Sequence, residues 1–210
     1  MKKTVLLSLL IALSISNFAQ SKITLIASVE DKLTLPISKF SNATAQRGIV
    51  RYSSSFTNLA VKGHFKLFNK VNFSINTGFY NHGFIHNFND SWRVKQRAYV
   101  LPLGGQFTIG KVKDKNKIIG GEFLIPFHYK EKTWLEGNKK TKLKNSEWFS
   151  NKTEMFIPVI FIGVQYNKTS YVQFKYQLGN FLNPNHQFNF RGVNTFATQS
   201  NMIEITFGNL

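Results

Sequence analysis

The chain has 210 residues, with 27 Lys and Arg against 10 Asp and Glu, a hydrophobic fraction of 42% and no Cys. This length suits one domain with a substantial core, and the composition excludes extensive disorder, a disulfide framework and a Cys-ligated metal. Beyond the first twenty residues no apolar run approaches the ~20 residues that a membrane-spanning helix requires, and the 21 Phe favour strands.

The first twenty residues have the three parts of a secretory signal peptide. Lys2 and Lys3 form a positive start, residues 5–15 are apolar but too few to span a bilayer, and residues 16–20 form a polar exit that includes Ala19. Cleavage is predicted after Ala19 or Gln20; it lowers the formal net charge from +17 to +15, because two lysines and no acids are removed. A retained amphipathic anchor is the alternative. The protein is therefore predicted to leave the cytoplasm.

The rest of the chain alternates apolar and polar side chains with a period of two residues, which predicts strands. Eight such segments occur, at 23–29, 59–67, 71–79, 99–109, 119–129, 154–166, 172–178 and 203–207. The links are short after strands 2, 4 and 6 (69–70, 111–117 and 167–169) and long after strands 1, 5 and 7 (31–55, 135–153 and 183–200). Short turns at one end and long loops at the other are typical of a transmembrane β-barrel.

The polar face of these strands favours a membrane barrel over a soluble one. A soluble barrel points its apolar face inward, whereas a membrane barrel turns that face toward lipid. Here the opposite face is rich in Asn, Gln, Ser and Gly, unlike the charge-dense surface of a soluble protein, and it suits a hydrogen-bonded lumen. This face also carries Lys130, and the residues predicted to form the lumen network are Lys62, His64, Lys66, Glu122, His128, Lys175 and Glu204.

Aromatic residues gather near the strand ends, where a membrane barrel carries its interface girdles. The predicted girdle residues are Phe79, Tyr80, Phe84, Trp92, Tyr129, Trp134, Tyr166 and Tyr171. Together these patterns predict an all-β, eight-stranded antiparallel up-and-down transmembrane β-barrel over residues 21–210. The lumen of such a barrel is just wide enough for its own side chains, so a diffusion pore is not expected.

Several short stretches carry a resemblance to a known family. They are FAQ at 18–20, YVLPL at 99–103, the related strands at 104–107, 120–123 and 163–166, and the amphipathic closing strand IEITFGNL at 203–210. With the signal peptide and the eight strands, they resemble the small outer-membrane β-barrels of Gram-negative bacteria, of the OmpA/OmpX-like type ("outer membrane protein beta-barrel domain"). The resemblance implies a monomeric barrel in the cell outer membrane, in contact with lipid and inserted by the outer-membrane assembly machinery. The closing strand ends in Leu210, where many family members end in an aromatic residue.

No sequence motif points to catalysis, a cofactor or a metal ion. The main prediction is therefore a structural or interaction protein whose loops face the outside. One alternative is a lipid-modifying barrel enzyme acting on lipopolysaccharide, with His82, His86 and Ser91 beside Asp90 as its candidate residues. Another is a soluble periplasmic β-barrel that binds an apolar ligand. As a metal site the two His are weaker still, because Gly83 between them argues against a helix that would present both on one face.

The positive charge has its own interpretation. Secretion and the barrel topology argue against a nucleic-acid partner, although the net charge alone is compatible with one. Five lysines concentrate in the link after strand 5: Lys139, Lys140, Lys142, Lys144 and Lys152. They are predicted either to form a plain solvated loop or to contact the phosphate groups of lipopolysaccharide.

Overall fold

The computed structural model describes residues 23–42, 46–88, 92–110, 115–135, 138–167, 170–190 and 192–209, with only the backbone described at 46 and 138–141. The predicted signal peptide lies outside these residues. The described part is built almost entirely of strands, with one 3-10 turn at Ser55–Thr57. Among the described residues, no helix is long and apolar enough to cross a membrane.

Eight strands close into an antiparallel ring. The described residues form twelve strands: β1 Thr24–Phe40, β2 Gln46–Ile49, β3 Arg51–Ser53, β4 Leu59–Phe68, β5 Val71–Phe88, β6 Trp92–Ile109, β7 Asn116–Leu135, β8 Asn138–Trp148, β9 Ile157–Gln165, β10 Ser170–Gln177, β11 Gln187–Phe190 and β12 Val193–Asn209. The ring runs β1–β4–β5–β6–β7–β9–β10–β12, and β12 pairs again with β1 from Val29↔Asn209 to Phe40↔Ala197. The predicted eight-stranded up-and-down barrel is confirmed.

The four remaining strands extend the ring at the end opposite the short turns. β2 and β4 both pair with β5, so residues 46–68 act as one strand interrupted by an excursion at 54–58. In the same way β8 and β9 both pair with β7, and β10 and β11 both pair with β12. The long loops predicted at 31–55, 135–153 and 183–200 are therefore wrong in large part, because β1, β8 and β12 run through them as strands.

The half of the barrel nearest the short turns is polar inside and apolar outside. Leu103 and Ile162 on the outer face are 45% and 60% exposed, whereas Glu122 and Lys175 on the inner face are 5% and 3% exposed. Such an exterior has no favourable partner in water but matches the hydrocarbon core of a bilayer. The predicted orientation of the two faces is confirmed, and it disfavours the soluble apolar-ligand barrel, whose apolar face would point inward.

The other half of the barrel has the opposite polarity. Its interior is an apolar cluster whose largest members include Phe84, Phe88, Phe181 and Phe190, all with at most 1% of their area exposed. Its exterior carries charged residues, as in a soluble β-barrel. The interior becomes apolar at the paired residues Tyr80 and Val100, beside the position where the outer face of β6 changes from apolar to charged.

This change of polarity marks one boundary of the membrane-embedded part. On β6, Tyr99 is the first outward aromatic residue after the charged Arg97. Ile109, ten residue steps after Tyr99, ends the strand. At about 3.3 Å per residue and a tilt of about 40°, those steps span about 25 Å along the membrane normal, which is the height of the apolar band in membrane barrels.

Candidate functional site

A network of charged side chains crosses the lumen just below this boundary. Lys32 Nζ lies 3.3 Å from Glu30 Oε2 and 3.4 Å from Glu204 Oε1, and it sits 3.3 Å from the centre of the Tyr80 ring. Nδ1 of His82 lies 3.6 Å from Glu204 Oε2, and Nε2 of the same ring is 2.9 Å from Oε1 of Gln177. Strands β1, β5, β10 and β12 are thereby joined across the barrel.

Two further lysines complete this lumen network. Lys175 Nζ donates to Glu122 Oε1 at 2.8 Å, which links β10 to β7. Lys62 Nζ lies 3.7 Å above the Tyr171 ring, and the Tyr171 hydroxyl donates to Glu30. Three lysines thus face three glutamates, so the buried charges largely offset one another, as charges in a low-dielectric interior must.

Amide side chains fill the lumen nearer the turns. Oε1 of Gln106 accepts from Nδ2 of Asn76 and from Nε2 of Gln173, both at 3.3 Å. Among Lys32, Tyr80 and the charged residues around them, the lumen leaves a cavity of about 10 Å³. That volume holds about one water molecule, so side chains nearly fill the lumen at this level and act as a plug.

The predicted lumen residues fall into three groups. Lys62, Glu122, Lys175 and Glu204 meet in the charged network. His64 faces inward closer to the turns, where its Nδ1 lies 2.7 Å from the Ser74 hydroxyl.

Lys66 and His128 lie outside the lumen network, contrary to prediction. Lys66 is exposed at the turn end of β4. His128 lies on the outer face because a bulge interrupts the β6–β7 ladder: Val100 pairs with Pro126, but Tyr99 pairs with His128. One extra residue shifts every later side chain of β7 to the other face. The His128 ring stacks on Trp148 at 4.1 Å, and its Nε2 lies 2.8 Å from Ser146 Oγ.

Sequence reasoning did not place Glu30, Lys32 or His82 in the lumen network. The first two lie beyond the predicted end of strand 1, although a period-two signal does continue there, with Leu33 and Leu35 exposed between buried polar residues. The girdle prediction is wrong for Tyr80, Phe84, Tyr129 and Tyr171, which are buried inside the barrel. The polar pattern of a strand face does not indicate which tyrosines will point inward and fill the lumen.

The two candidate enzyme residues that the structure describes, His82 and His86, are both buried. His82 belongs to the charged network, and His86 is fully buried in the apolar cluster, stacked 4.8 Å from the Phe40 ring. Burial lowers the pKa of His86 to about 3, so its ring is neutral at pH 7. Asp90 and Ser91 lie outside the described residues. No group of His, Asp and Glu able to hold a metal ion occurs in the described part of the chain.

The five predicted loop lysines are distributed over a strand and a connecting segment. Lys142 and Lys144 lie on β8, where Lys144 is paired with Lys132. Lys152 belongs to the excursion at 149–156, and its Nζ lies 2.6 Å from Glu147 Oε1. The side chains of Lys139 and Lys140 lie outside the described part.

No protein-family model and no curated protein sequence matches the chain. Solved structures of small outer-membrane β-barrels are similar to it in fold. Neisserial surface protein A has 7% sequence identity and a TM-score of 0.43, over 90% of this chain and 97% of that one. The attachment invasion locus protein Ail of Yersinia pestis has 11% identity and a TM-score of 0.35, over 87% and 97%. The N-terminal β-barrel domain of Pseudomonas aeruginosa OprF has 11% identity and a TM-score of 0.29, over 86% and 96%.

Proposed function

We propose that this chain is an integral outer-membrane protein with a structural or interaction role at the cell surface. The observation that carries the proposal is the pairing of an apolar exterior with a lumen plugged by Lys32, Glu122, Lys175 and Glu204. The apolar exterior matches a bilayer better than water, and the side chains that fill the lumen support a barrel that does not conduct solutes. What remains available to partners is the half of the barrel that projects beyond the membrane.

An enzymatic role has weaker support. The described His residues that contact a Ser are His64 and His128, with Ser74 and Ser146 as their partners. A Ser–His pair becomes a nucleophile only when a third group orients the imidazole and donors stabilise the oxyanion. Among the described residues, no carboxylate bonds either ring. We therefore assign these pairs to packing.

The membrane location is tested by two exposed leucines that differ in their position relative to the predicted bilayer. Leu103 is 45% exposed, four residue steps below Tyr99, whereas Leu143 is 53% exposed on β8, beyond the boundary. In a bilayer, Leu103→Lys is expected to cost about 2–4 kcal/mol of the free energy of unfolding and Leu143→Lys about zero. Equal small costs for both variants would contradict the proposal.

Two simpler measurements complete the test. The wild-type protein is expected in the membrane pellet, and its gel mobility in SDS is expected to differ between unheated and boiled samples, because a closed barrel resists SDS. In planar bilayers it is expected to give no conductance steps. A soluble periplasmic protein without a mobility shift would refute the membrane barrel, and steady conductance would refute the plug.

A further inference from the structure

A basic face covers the outer surface of β6, β7 and β8 just beyond the membrane boundary. We define it by six residues: Lys95, Arg97, Lys130, Lys132, Lys142 and Lys144. Arg97 pairs with Lys130 in one row, and Lys95, Lys132 and Lys144 pair across three strands in the next. Residues paired in an antiparallel sheet point to the same side, so these cations are neighbours.

The side chains of this basic face point outward. The alternate residues Gln96, Tyr129 and Thr133 are buried inside the barrel, with at most 4% of their area exposed. Lys130 Nζ lies 4.9 Å from the centre of the Tyr99 ring, and Arg97 Cζ lies 5.9 Å from it. Both cations therefore rest directly above the outward aromatic residue that marks the boundary.

No carboxylate compensates these charges within the described residues. The two acids of β7 and β8 beyond the boundary face inward: Glu131 accepts from Tyr129, and Glu147 binds Lys152. The pKa of Lys95 is lowered to about 8, by burial first and then by repulsion from nearby cations that include Arg97 and Lys132. The pKa of Lys132 is lowered by the same two causes. Because the charged neighbours of these lysines are all cations, the cluster favours the binding of an anion.

The depth of the basic face identifies the anion. Tyr99, His128 and Trp148 form one row across β6, β7 and β8, the position of an interface girdle. The two cation rows lie two and four residue steps above it, which is about 5 and 10 Å along the membrane normal. Phosphate groups of the outer leaflet occupy this zone, next to the acyl chains below.

We propose that the basic face binds the phosphate groups of outer-leaflet lipopolysaccharide. The proposal rests on the proposed function, because it requires this end of the barrel to face outward. It differs from the sequence-based assignment in its residues: Arg97, Lys130 and Lys132 are central, whereas Lys152 is already paired with Glu147. Arg contributes a planar fork that matches two phosphate oxygens, and the lysines contribute point charges.

The test compares two triple variants that remove the same charge from opposite ends of the barrel. Arg97→Gln/Lys130→Gln/Lys132→Gln removes the centre of the basic face. The control, Lys66→Gln/Lys115→Gln/Lys117→Gln, removes three exposed cations at the turn end. Each refolded protein is titrated in detergent micelles with bisphosphorylated lipid A, with dephosphorylated lipid A, and with inositol hexakisphosphate as a soluble polyanion.

Wild type and control are expected to bind bisphosphorylated lipid A equally, and the basic-face variant at least tenfold more weakly. Dephosphorylated lipid A is expected to bind all three proteins weakly and alike. Equal affinity of wild type and basic-face variant for bisphosphorylated lipid A would overturn the proposal. So would binding of inositol hexakisphosphate as tight as that of the lipid, because the site would then take a soluble polyanion.

The same samples separate this proposal from the proposed function. The gel-mobility shift of each protein in SDS reports the closed barrel independently of any ligand. Because the substitutions relieve repulsion among cations, the basic-face variant is expected to keep that shift. Should it fail to fold, Lys95→Gln/Lys132→Gln supplies a milder variant for the same titration. If the wild-type protein shows the mobility shift but binds bisphosphorylated and dephosphorylated lipid A equally, only the proposed phosphate site is refuted.

Discussion

The buried ion pair between Lys175 and Glu122 makes a sharp prediction about the stability of the lumen. Its atoms lie 2.8 Å apart, and the two residues are 3% and 5% exposed. At an effective dielectric constant of about 20, such a pair attracts by about 6 kcal/mol, against which stands the cost of desolvating both charges. Removing one partner leaves the other buried and uncompensated, so Lys175→Met and Glu122→Gln are each expected to cost about 3–5 kcal/mol.

The double variant Lys175→Met/Glu122→Gln is expected to recover most of this loss, because neutral side chains of similar size leave no buried charge. Unfolding by urea in lipid vesicles, followed by tryptophan fluorescence, gives the four free energies of the cycle. The coupling energy should reach at least about 2 kcal/mol. Lys66→Met, at an exposed position of the turn end, serves as the control and should change stability by less than about 0.5 kcal/mol. Additive losses in the cycle would refute the account of the lumen as an interdependent network.

Two further predictions concern a close packing contact and a pH-sensitive contact. A Cβ atom at Gly208 would come within 2.4 Å of the Tyr171 ring and hydroxyl, whereas a Cβ atom at Gly63 would meet nothing closer than 3.6 Å. Gly208→Ala should therefore lower the urea midpoint of unfolding, and Gly63→Ala should leave it unchanged. Burial alone would raise the pKa of Glu147, but hydrogen bonds, first of all from Lys152, lower it to about 2. Because this folded-state pKa lies below the unfolded value of 4.5, the stabilisation is present above pH 4.5 and lost between about 4.5 and 2. The protection factors of the amides at residues 149–156, which are corrected for the intrinsic pH dependence of exchange, should fall as the pH is lowered over that interval, and Glu147→Gln should abolish the fall. An equal fall in Glu147→Gln would assign it to other groups.

The strands and their facing in the membrane-embedded half of the barrel were predicted well, and the reason for this success is physical. Lipid outside and polar side chains inside impose strict alternation, as in Leu101, Leu103 and Phe107 against Gln106 and Thr108. Such a pattern is compatible with only one assignment of the strand and of its inward and outward faces.

The projecting half was predicted poorly because its alternation changes phase within single strands. On β6, the apolar positions are Val94, Ala98 and Val100 on the inner face, and then Leu101 and Leu103 on the outer one. A pattern search interprets this reversal as the start of a strand, so β6 was predicted to begin at 99 although it begins at Trp92.

The bulge at Phe127 was also beyond sequence reasoning. Alternation continues through Ile125, Phe127 and Tyr129, and nothing in those residues shows that the ladder to β6 shifts by one position. The error placed His128 and Lys130 on the lumen face, although both point outward and Lys130 pairs with Arg97 in the basic face. The tertiary pairing of β7, and not its local sequence, decides the facing of these side chains.

The opposite polarity of the two halves has a consequence for how the barrel enters its membrane. In the proposed orientation, Phe84, Phe88 and Phe181 lie in the part that crosses the bilayer first, so their buried cluster would form only after that part emerges on the far side. Once formed, that core and the cations around it can return only by unfolding. Folding of the projecting half on the far side would therefore complete insertion. It would also make withdrawal of the barrel from the membrane very slow.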